Sequence, residues 1–385
     1  MWKTLRPAKE ARIGSDVRMP STSLASSEIL TEDHFARMLY LERKRTERSG
    51  HSFVLMLLEA RKLLRRGPDD EALGQIILAL SRSTRETDMR GWYLAGSVMG
   101  VIFTEIGEAD GRNVALALLN KVTQALCGTL GIEQICDISL SFHVFPDDWE
   151  NGSPDDPIDS RLYPDLLRDM EARRGPRLVK RTLDIVGSLC ALVVFSPLFV
   201  VIASVIKFTS KGPVFFRQTR VGQYGRKFTF LKFRSMKAAS DQTVHKDYVK
   251  QLIAGQASGT AHNGSNVLYK LTNDSRITRA GRFLRRTSLD ELPQFFNVLT
   301  GEMSLVGPRP PIPYELQCYQ PWHKRRLLSV KPGITGLWQV GGRNKLRFEE
   351  MVRMDLQYAH SWTVWKDIKI LLKTPTAVIS LDGAV

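Results

Sequence analysis

Residues 185–206 read IVGSLCALVVFSPLFVVIASVI, 22 consecutive positions without a charged side chain. About 20 apolar residues in a helix match the hydrocarbon core of a bilayer, so a membrane-embedded helix is expected over about 182–207. Ser196-Pro197 stands near its centre, where proline removes a backbone N–H and bends a helix. Both flanks are basic, with Lys180 and Arg181 before the run and Lys207 and Lys211 after it. A spanning helix usually concentrates Lys and Arg on its cytoplasmic side. Basic residues at both ends suit a segment that enters the bilayer, bends at Ser196-Pro197 and returns to the same face. The Ser196 hydroxyl or neighbouring protein would then meet the backbone groups freed at the bend. A through-span and the buried helix of a soluble core are the competing readings.

Around this run the 385-residue chain is divided in charge. The net +15 splits into −4 over residues 1–175 and +19 over residues 176–385. The length suggests two domains. At 43% hydrophobic and 25% charged, the composition excludes collagen-like, wholly disordered and polytopic membrane classes. The basic half is suited to an anion: nucleic acid, anionic lipid or a phosphorylated small molecule. The apolar run inside that half argues against nucleic acid. Cys127, Cys136, Cys190 and Cys318 form no CxxC pair, which favours a reducing compartment over a disulfide framework or zinc site. The seven histidines show no ligand spacing, and neither a GxxxxGK[ST] loop nor a GxSxG elbow occurs. Residues 1–26 lack the apolar core of a signal peptide and read as a flexible polar lead.

From residue 27 the pattern becomes regular. Residues 31–48 carry a helical stripe with Phe35, Met38, Leu39 and Leu41, and 52–60 (SFVLMLLEA) suit a buried strand. Helices are expected over 69–86 and 110–130, a strand pair over 91–106 around Gly96-Ser97, and a final strand over 137–145. This order gives an α+β unit with helices packed on an antiparallel sheet. Residues 149–176 read as a linker, with a short helix in LYPDLLRDMEARR. After the apolar run, 212–236 read as two strands joined by a turn, and 240–266 as a polar, mobile stretch. Two helical stretches, RFEEMVRMDLQYAHSW and VWKDIKILLKTPTAVIS, close the chain. The last suits a membrane interface or ordinary amphipathic packing.

Asp290 and Glu291 stand in the most basic stretch, preceded by Arg276, Arg279, Arg282, Arg285 and Arg286. Ser288-x-x-Glu291 also fits a capping box that starts a helix. The two readings are compatible, because a helix's first turn and nearby Arg hold a carboxylate anionic. An anionic carboxylate serves as a nucleophile, or as a Mg²⁺ ligand beside substrate phosphates. Arg309 in GPRP and the Lys232/Arg234 pair in LKFRSM are candidate phosphate clamps.

KRTLDIVGSL and FSPLFVVIA, GPVFFRQTRVG, LKFRSM, DSRITRAGRFLRRTSLDELPQFFNVLTGEMSLVGPRPP and KPGITGLWQVGGRN together resemble the bacterial sugar transferase family, the monotopic polyprenyl-phosphate sugar-1-phosphate transferases. The resemblance runs over residues 178–385. It implies transfer of a sugar-1-phosphate from a UDP-sugar to undecaprenyl phosphate, with release of UMP. It further implies that Asp290 is the nucleophile of a covalent phospho-sugar intermediate, that Glu291 completes the pair, and that Mg²⁺ is the cofactor. Lys232, Arg285 and Arg309 match the family's basic site positions. Arg286, Pro310, Gln339 and Arg343, in the same motifs, complete the candidate substrate-binding set with Arg234. A helix re-entering the membrane at Ser196-Pro197, on the cytoplasmic face of the bacterial inner membrane, also follows from the resemblance. The expected fold is therefore an N-terminal α+β unit (27–148), a linker (149–176), and a membrane-associated α+β catalytic domain (177–385) with amphipathic interface helices.

Residues 27–148 resemble a degenerate nucleotide-cyclase-like (GGDEF-type) domain by their order of elements. AGSVMG stands where the active signature would, so cyclase activity is not expected. Cyclic-dinucleotide sensing, scaffolding and homodimerisation remain open. The alternative for the whole chain is a non-catalytic, membrane-peripheral regulatory or assembly protein with a transferase-like domain.

Overall fold

The computed structural model describes residues 29–60, 63, 71–106, 111–146, 159–236, 250–251, 253, 276–342 and 346–379. The expected polar lead, most of the linker before Asp159, almost all of the polar stretch 240–266 and Arg343 lie outside the described residues. The chain divides into two compact units, one containing His51–Val144 and the other Phe145–Val385. Both mix helix and strand.

The first unit contains α1 (Glu32–Ser49, its leading part), β1 (Phe53–Glu59), α2 (Glu71–Ser83), β2 (Met89–Leu94), β3 (Val98–Phe103), α3 (Gly111–Cys127), a short α4 (Ile132–Cys136) and β4 (Ser139–Phe145). The sheet order is β2-β3-β1-β4, with β1 and β2 both antiparallel to β3. β1 is buried at six of its seven positions, as its unbroken apolar run demands. On one face Ile76 and Leu80 of α2 and Val122 and Leu126 of α3 pack with Met56, Leu58 and Val101. Phe35 of α1 is fully buried against the strands. Gly91 and Gly100, cross-strand partners, make room for it: a Cβ on Gly100 would lie 2.4 Å from the Phe35 ring, and one on Gly91 2.7 Å. The expected element order holds among the described residues of this unit, with the short α4 added to it.

The second unit begins with α5 (Pro164–Ala172) and α6 (Arg174–Thr209). α6 is 36 residues long, starts eight residues earlier than expected, and runs through Pro197 without interruption. The reason is local. Pro197 cannot donate to the Val193 carbonyl, and the Ser196 hydroxyl donates to that carbonyl instead, at 2.8 Å. The orphaned acceptor is satisfied without breaking the helix. By length and composition alone, α6 is long and apolar enough to cross a membrane. Leu189, Val193, Val194, Val200 and Val201 are exposed.

Two patches of α6 dock on the rest of the unit. Near its start, Lys180 Nζ donates to Asp367 Oδ2 at 2.6 Å and to the Val306 carbonyl at 3.0 Å. Asp184 accepts from the Ser304 hydroxyl and the Leu305 amide, both at 2.9 Å. Near its end, Leu198, Phe199, Ile202 and Ile206 pack with Phe233, Leu284 and Leu292.

Next come the antiparallel hairpin β5 (Phe215–Val221) and β6 (Lys227–Phe233), α7 (Arg279–Arg286) and a single 3₁₀ turn, Leu289–Glu291. α8 (Gln294–Thr300), β7 (Ser304–Val306), α9 (Pro313–Gln317), α10 (Pro321–Lys324), α11 (Arg326–Ser329), β8 (Gly333–Thr335) and α12 (Leu337–Gly341) follow, and α13 (Phe348–His360) and α14 (Val364–Ile379) close the unit. β7 and β8 pair in parallel. Their approach requires glycine, since a Cβ on Gly333 would lie 2.0 Å from the Gly307 amide nitrogen. Arg181 donates to the Val298 and Leu299 carbonyls and Lys331 to the Gly301 carbonyl. These cations satisfy the last carbonyls of α8 and oppose its dipole. On α14, Asp367 and Ile370 are buried while Trp365 and Leu372 are exposed.

Candidate active site

Asn297 of α8 fixes the strand on which the site begins. Its Oδ1 accepts from the Leu231 amide at 3.1 Å, and its Nδ2 donates to the Thr229 carbonyl at 2.7 Å. A buried amide thus stands in for a neighbouring strand along the edge of β6. Lys232 follows, and its Nζ meets Glu291 Oε1 at 2.7 Å. It also lies 5.4 Å from the Phe230 ring centroid. Asp290, beside Glu291 on the 3₁₀ turn, is buried at 7% exposure. The ion pair joins motifs 59 positions apart.

The turn carrying the two carboxylates is not the expected capping box. Ser288 sits at φ 57°, in the left-handed region, and its side chain caps nothing. α8 starts three residues beyond Glu291, after Pro293. A left-handed residue redirects the chain between α7 and the turn, and Glu291 faces Lys232 instead of reaching back. α7 is itself tightly seated: a Cβ on Gly281 would lie 2.0 Å from the Ser235 carbonyl oxygen. Thr278 caps α7 by accepting from the Gly281 amide at 2.9 Å. Of its arginines, Arg285 is half-buried and Arg286 exposed.

Arg234 continues the ladder one residue past β6, its amide donating to the Val214 carbonyl at 2.9 Å. Its Nη2 donates to the carbonyl and hydroxyl oxygens of Ser210, at 2.8 and 2.7 Å.

Arg309 lies on the loop after β7, in a second group. The Gly307 amide donates to the Thr335 carbonyl, the Gly333 amide to the Pro308 carbonyl and the Val221 amide to the Pro311 carbonyl. The Pro310 carbonyl accepts from Arg220 Nη1 at 2.8 Å, so Pro310 shapes the loop through its backbone. Arg309 lines a small pocket with Glu315, Arg326, Trp338, Phe348 and Met351. Gln339 is half-buried next to Trp338, with Nε2 at 3.5 Å from the Ile334 carbonyl.

Behind Arg309 lies a buried polar network that sequence reasoning missed. Arg326 donates to Asp355 Oδ2 at 2.8 Å and to the Tyr319 hydroxyl at 2.5 Å. Tyr319 in turn donates to Glu315 Oε2 at 3.4 Å. One signal was available: Asp355 falls within the stripe Met351, Val352, Asp355, Tyr358, all buried on α13. A carboxylate at a core position of an amphipathic helix needs a buried partner. Burial outweighs the pull of Arg326 and pushes the Asp355 carboxyl up to about 6.

His323 packs beside this network, against Tyr319, Trp322 and Phe348. Burial, with Arg326 adding to it, pushes its imidazole down to about 4. Folded His323 therefore refuses a proton that the unfolded chain accepts below about pH 6.5. Its contribution to stability is present above that pH and is lost as pH falls toward 4. Asp355 acts in the opposite sense over a similar window, so a comparison with a variant isolates the histidine. His323→Asn, which keeps an acceptor for the Gln320 amide, is expected to lose less stability than the parent between pH 6.5 and 4.5. Melting temperatures across that range check it, and parallel curves would refute it.

Among the described residues no group of three or more His, Cys, Asp or Glu side chains could hold a metal ion by itself. Asp290 and Glu291 offer two adjacent carboxylates, the number Mg²⁺ accepts when substrate phosphates supply further oxygens.

Residues 175–381 match the sequence profile of the family described as bacterial sugar transferase. The galactosyl transferase CpsE of Streptococcus agalactiae is 46% identical over 208 residues, which are 54% of this chain and 43% of that protein. The undecaprenyl-phosphate galactose phosphotransferase of Salmonella typhimurium is 45% identical over 213 residues, 55% of this chain and 43% of that protein. The matched stretch thus spans less than half the length of these two relatives. Among solved structures, a DGC protein from Thermotoga maritima aligns with 32% of this chain and 87% of its own, at 17% identity and a TM-score of 0.25. That likeness is too low to bear on function.

Proposed function

This chain belongs to the bacterial sugar transferase family, and from that premise we propose that it moves a hexose-1-phosphate from a UDP-sugar to undecaprenyl phosphate, releasing UMP. The observation that carries the reading is the Lys232–Glu291 contact at 2.7 Å beside a buried Asp290. It assembles a cation and two carboxylates from distant motifs, and phosphoryl transfer requires positioning and charge neutralisation of this kind.

In the proposed mechanism an Asp290 oxygen attacks the phosphorus bonded to the sugar. The bond from that phosphorus to the bridging oxygen breaks, and UMP leaves with the electron pair. A phosphate oxygen of undecaprenyl phosphate then attacks the same phosphorus and the aspartyl–phosphorus bond breaks, regenerating the carboxylate. Lys232 orients Glu291 and adds positive charge, while Arg285, Arg286 and Arg309 are assigned to the donor's phosphates. Gln339 and Arg343 are kept as substrate-binding candidates. Asp290 and Glu291 would hold Mg²⁺, which supplies charge neutralisation on the diphosphate.

We further infer that α6 enters the cytoplasmic leaflet of the inner membrane without crossing it, and that residues 177–385 form the catalytic domain. What supports this is the spacing of the two docked patches. The stretch from Ser188 to Leu198 rises about 15 Å at helical pitch, half of a hydrocarbon core of about 30 Å. A crossing helix would need the same compact unit on both sides of the bilayer. The exposed valines and leucines between the patches suit lipid contact better than water.

The test is the full chain in detergent with Mg²⁺, undecaprenyl phosphate and a panel of UDP-sugars. UMP release that depends on a particular sugar is expected. No UMP from any donor would sink the transferase reading in favour of a non-catalytic membrane-peripheral role.

A further inference from the structure

Arg234 is a buried cation that no carboxylate faces among the described residues. Its residue is 5% exposed, and an arginine stays protonated in proteins. Burying a cation is costly unless an anion or a full set of acceptors meets it. One nitrogen is met, since Nη2 donates twice to Ser210. Nε and Nη1 are buried and have no hydrogen-bond partner among the described residues. Other buried arginines differ: Arg326 faces Asp355, and Arg220 donates to Gln218 and to the Pro310 carbonyl. Buried donors are almost always satisfied, so an exception points to a function or a ligand.

Position narrows the ligand. Arg234 follows Lys232 by two residues along one extended strand, so both side chains project to the same side. Lys232 is already engaged with Glu291. Ser210, which holds Nη2, is the first residue after α6. The unmet N–H groups are therefore tied both to the carboxylate site and to the end of the apolar helix.

We propose that Arg234 binds a phosphate oxyanion, and that this phosphate is the one carried by the lipid acceptor. The second clause rests on the transferase reading and on the placement of α6 in a leaflet. A polyprenyl chain stays in the apolar phase, so its phosphate is held at the membrane surface, the level at which the end of α6 leaves the bilayer. Lys207 and Lys211 flank that end and favour anions there. The two nitrogens are covered, so the phosphate reaches them only when the covering groups part, and occupation is coupled to acceptor entry. Three N–H groups then meet phosphate oxygens, a charge-assisted contact.

The experiment uses the full chain in detergent, as the parent, Arg234→Lys and Arg234→Met. UMP release is measured with undecaprenyl phosphate varied, then with the UDP-sugar varied. Arg234→Met is expected to raise KM for the acceptor about tenfold or more, the scale of a lost charge-assisted contact, and to change KM for the donor little. Arg234→Lys is expected to fall between. In a separate arm, inorganic phosphate is expected to raise the melting temperature of the parent and not of Arg234→Met. Without phosphate, Arg234→Met is expected to melt at or above the parent, because an unmatched buried charge has been removed. A marked fall there would mean a structural role and overturn the proposal. Equal rises in both KM values would overturn the acceptor assignment in favour of the donor, and unchanged KM values would overturn it outright. If the parent itself releases no UMP, the transferase reading fails, and the phosphate arm still decides whether Arg234 is an anion site.

Discussion

Asp290→Asn is expected to abolish turnover, lowering kcat by roughly 10⁴-fold or more, as when a nucleophile is removed from a cooperating site. The amide is nearly isosteric with the carboxylate but cannot form the acyl phosphate. Asp290 is buried on a short turn between Ser288 and Leu292, so a same-sized replacement leaves the turn in place. The melting temperature is therefore expected to stay near that of the parent. Intact-mass measurement after incubation with the UDP-sugar alone is expected to show a phospho-sugar adduct on the parent and none on the variant. Retained activity in Asp290→Asn, or an adduct that persists in it, would move the nucleophile elsewhere.

Asp367→Ala is expected to have the largest effect on stability, a loss of about 3–5 kcal/mol, as for breaking a buried ion pair by removing one partner. Asp367 Oδ2 accepts from Lys180 Nζ at 2.6 Å and from Trp362 Nε1 at 3.0 Å, and Oδ1 accepts from the Tyr358 hydroxyl at 2.6 Å. Burial, and then Asp367 itself, hold Tyr358 well above the ordinary phenol range, so it remains a donor. Truncation removes the carboxylate shared by three donors from α6, α13 and the segment before α14, leaving Lys180 and Tyr358 only neutral acceptors such as the Val306 carbonyl. The loss is read as a fall in apparent melting temperature at a fixed scan rate in detergent. A second change, Lys180→Met, is expected to recover part of it, because the stranded cation is removed. A variant that melts with the parent would show that this network does not anchor α6.

Some of this molecule is legible in the chain alone. The apolar run 185–206 can be read without tertiary information, because lipid or a dry core tolerates only uninterrupted apolarity at that length. The unbroken apolar runs in 53–59 and 98–103 report buried strands, and the stripes of α2 and α3 report helices through backbone period. The Ser196 hydroxyl could be matched to Pro197 in advance, since a proline orphans one known carbonyl, four residues back. The Ser288-x-x-Glu291 motif misled because φ at a single residue redirects the chain, and nothing in the local pattern marks that angle.

Charges show the boundary most clearly. Lys324, Arg325 and Arg326 are three consecutive cations, and only Arg326 is buried, facing a carboxylate on another helix. Lys232 and Arg234 stand two residues apart in one extended stretch, yet one finds Glu291 and the other keeps two nitrogens without a partner among the described residues. The sequence by itself determined the α+β composition, the apolar helix, the basic half and the candidate carboxylates, because these follow from period, length and residue chemistry. Only the tertiary structure decided which charges are buried and what each one faces. The worth of a charge depends on its distance to a partner and on exclusion of water, and both arise from segments far apart in the chain.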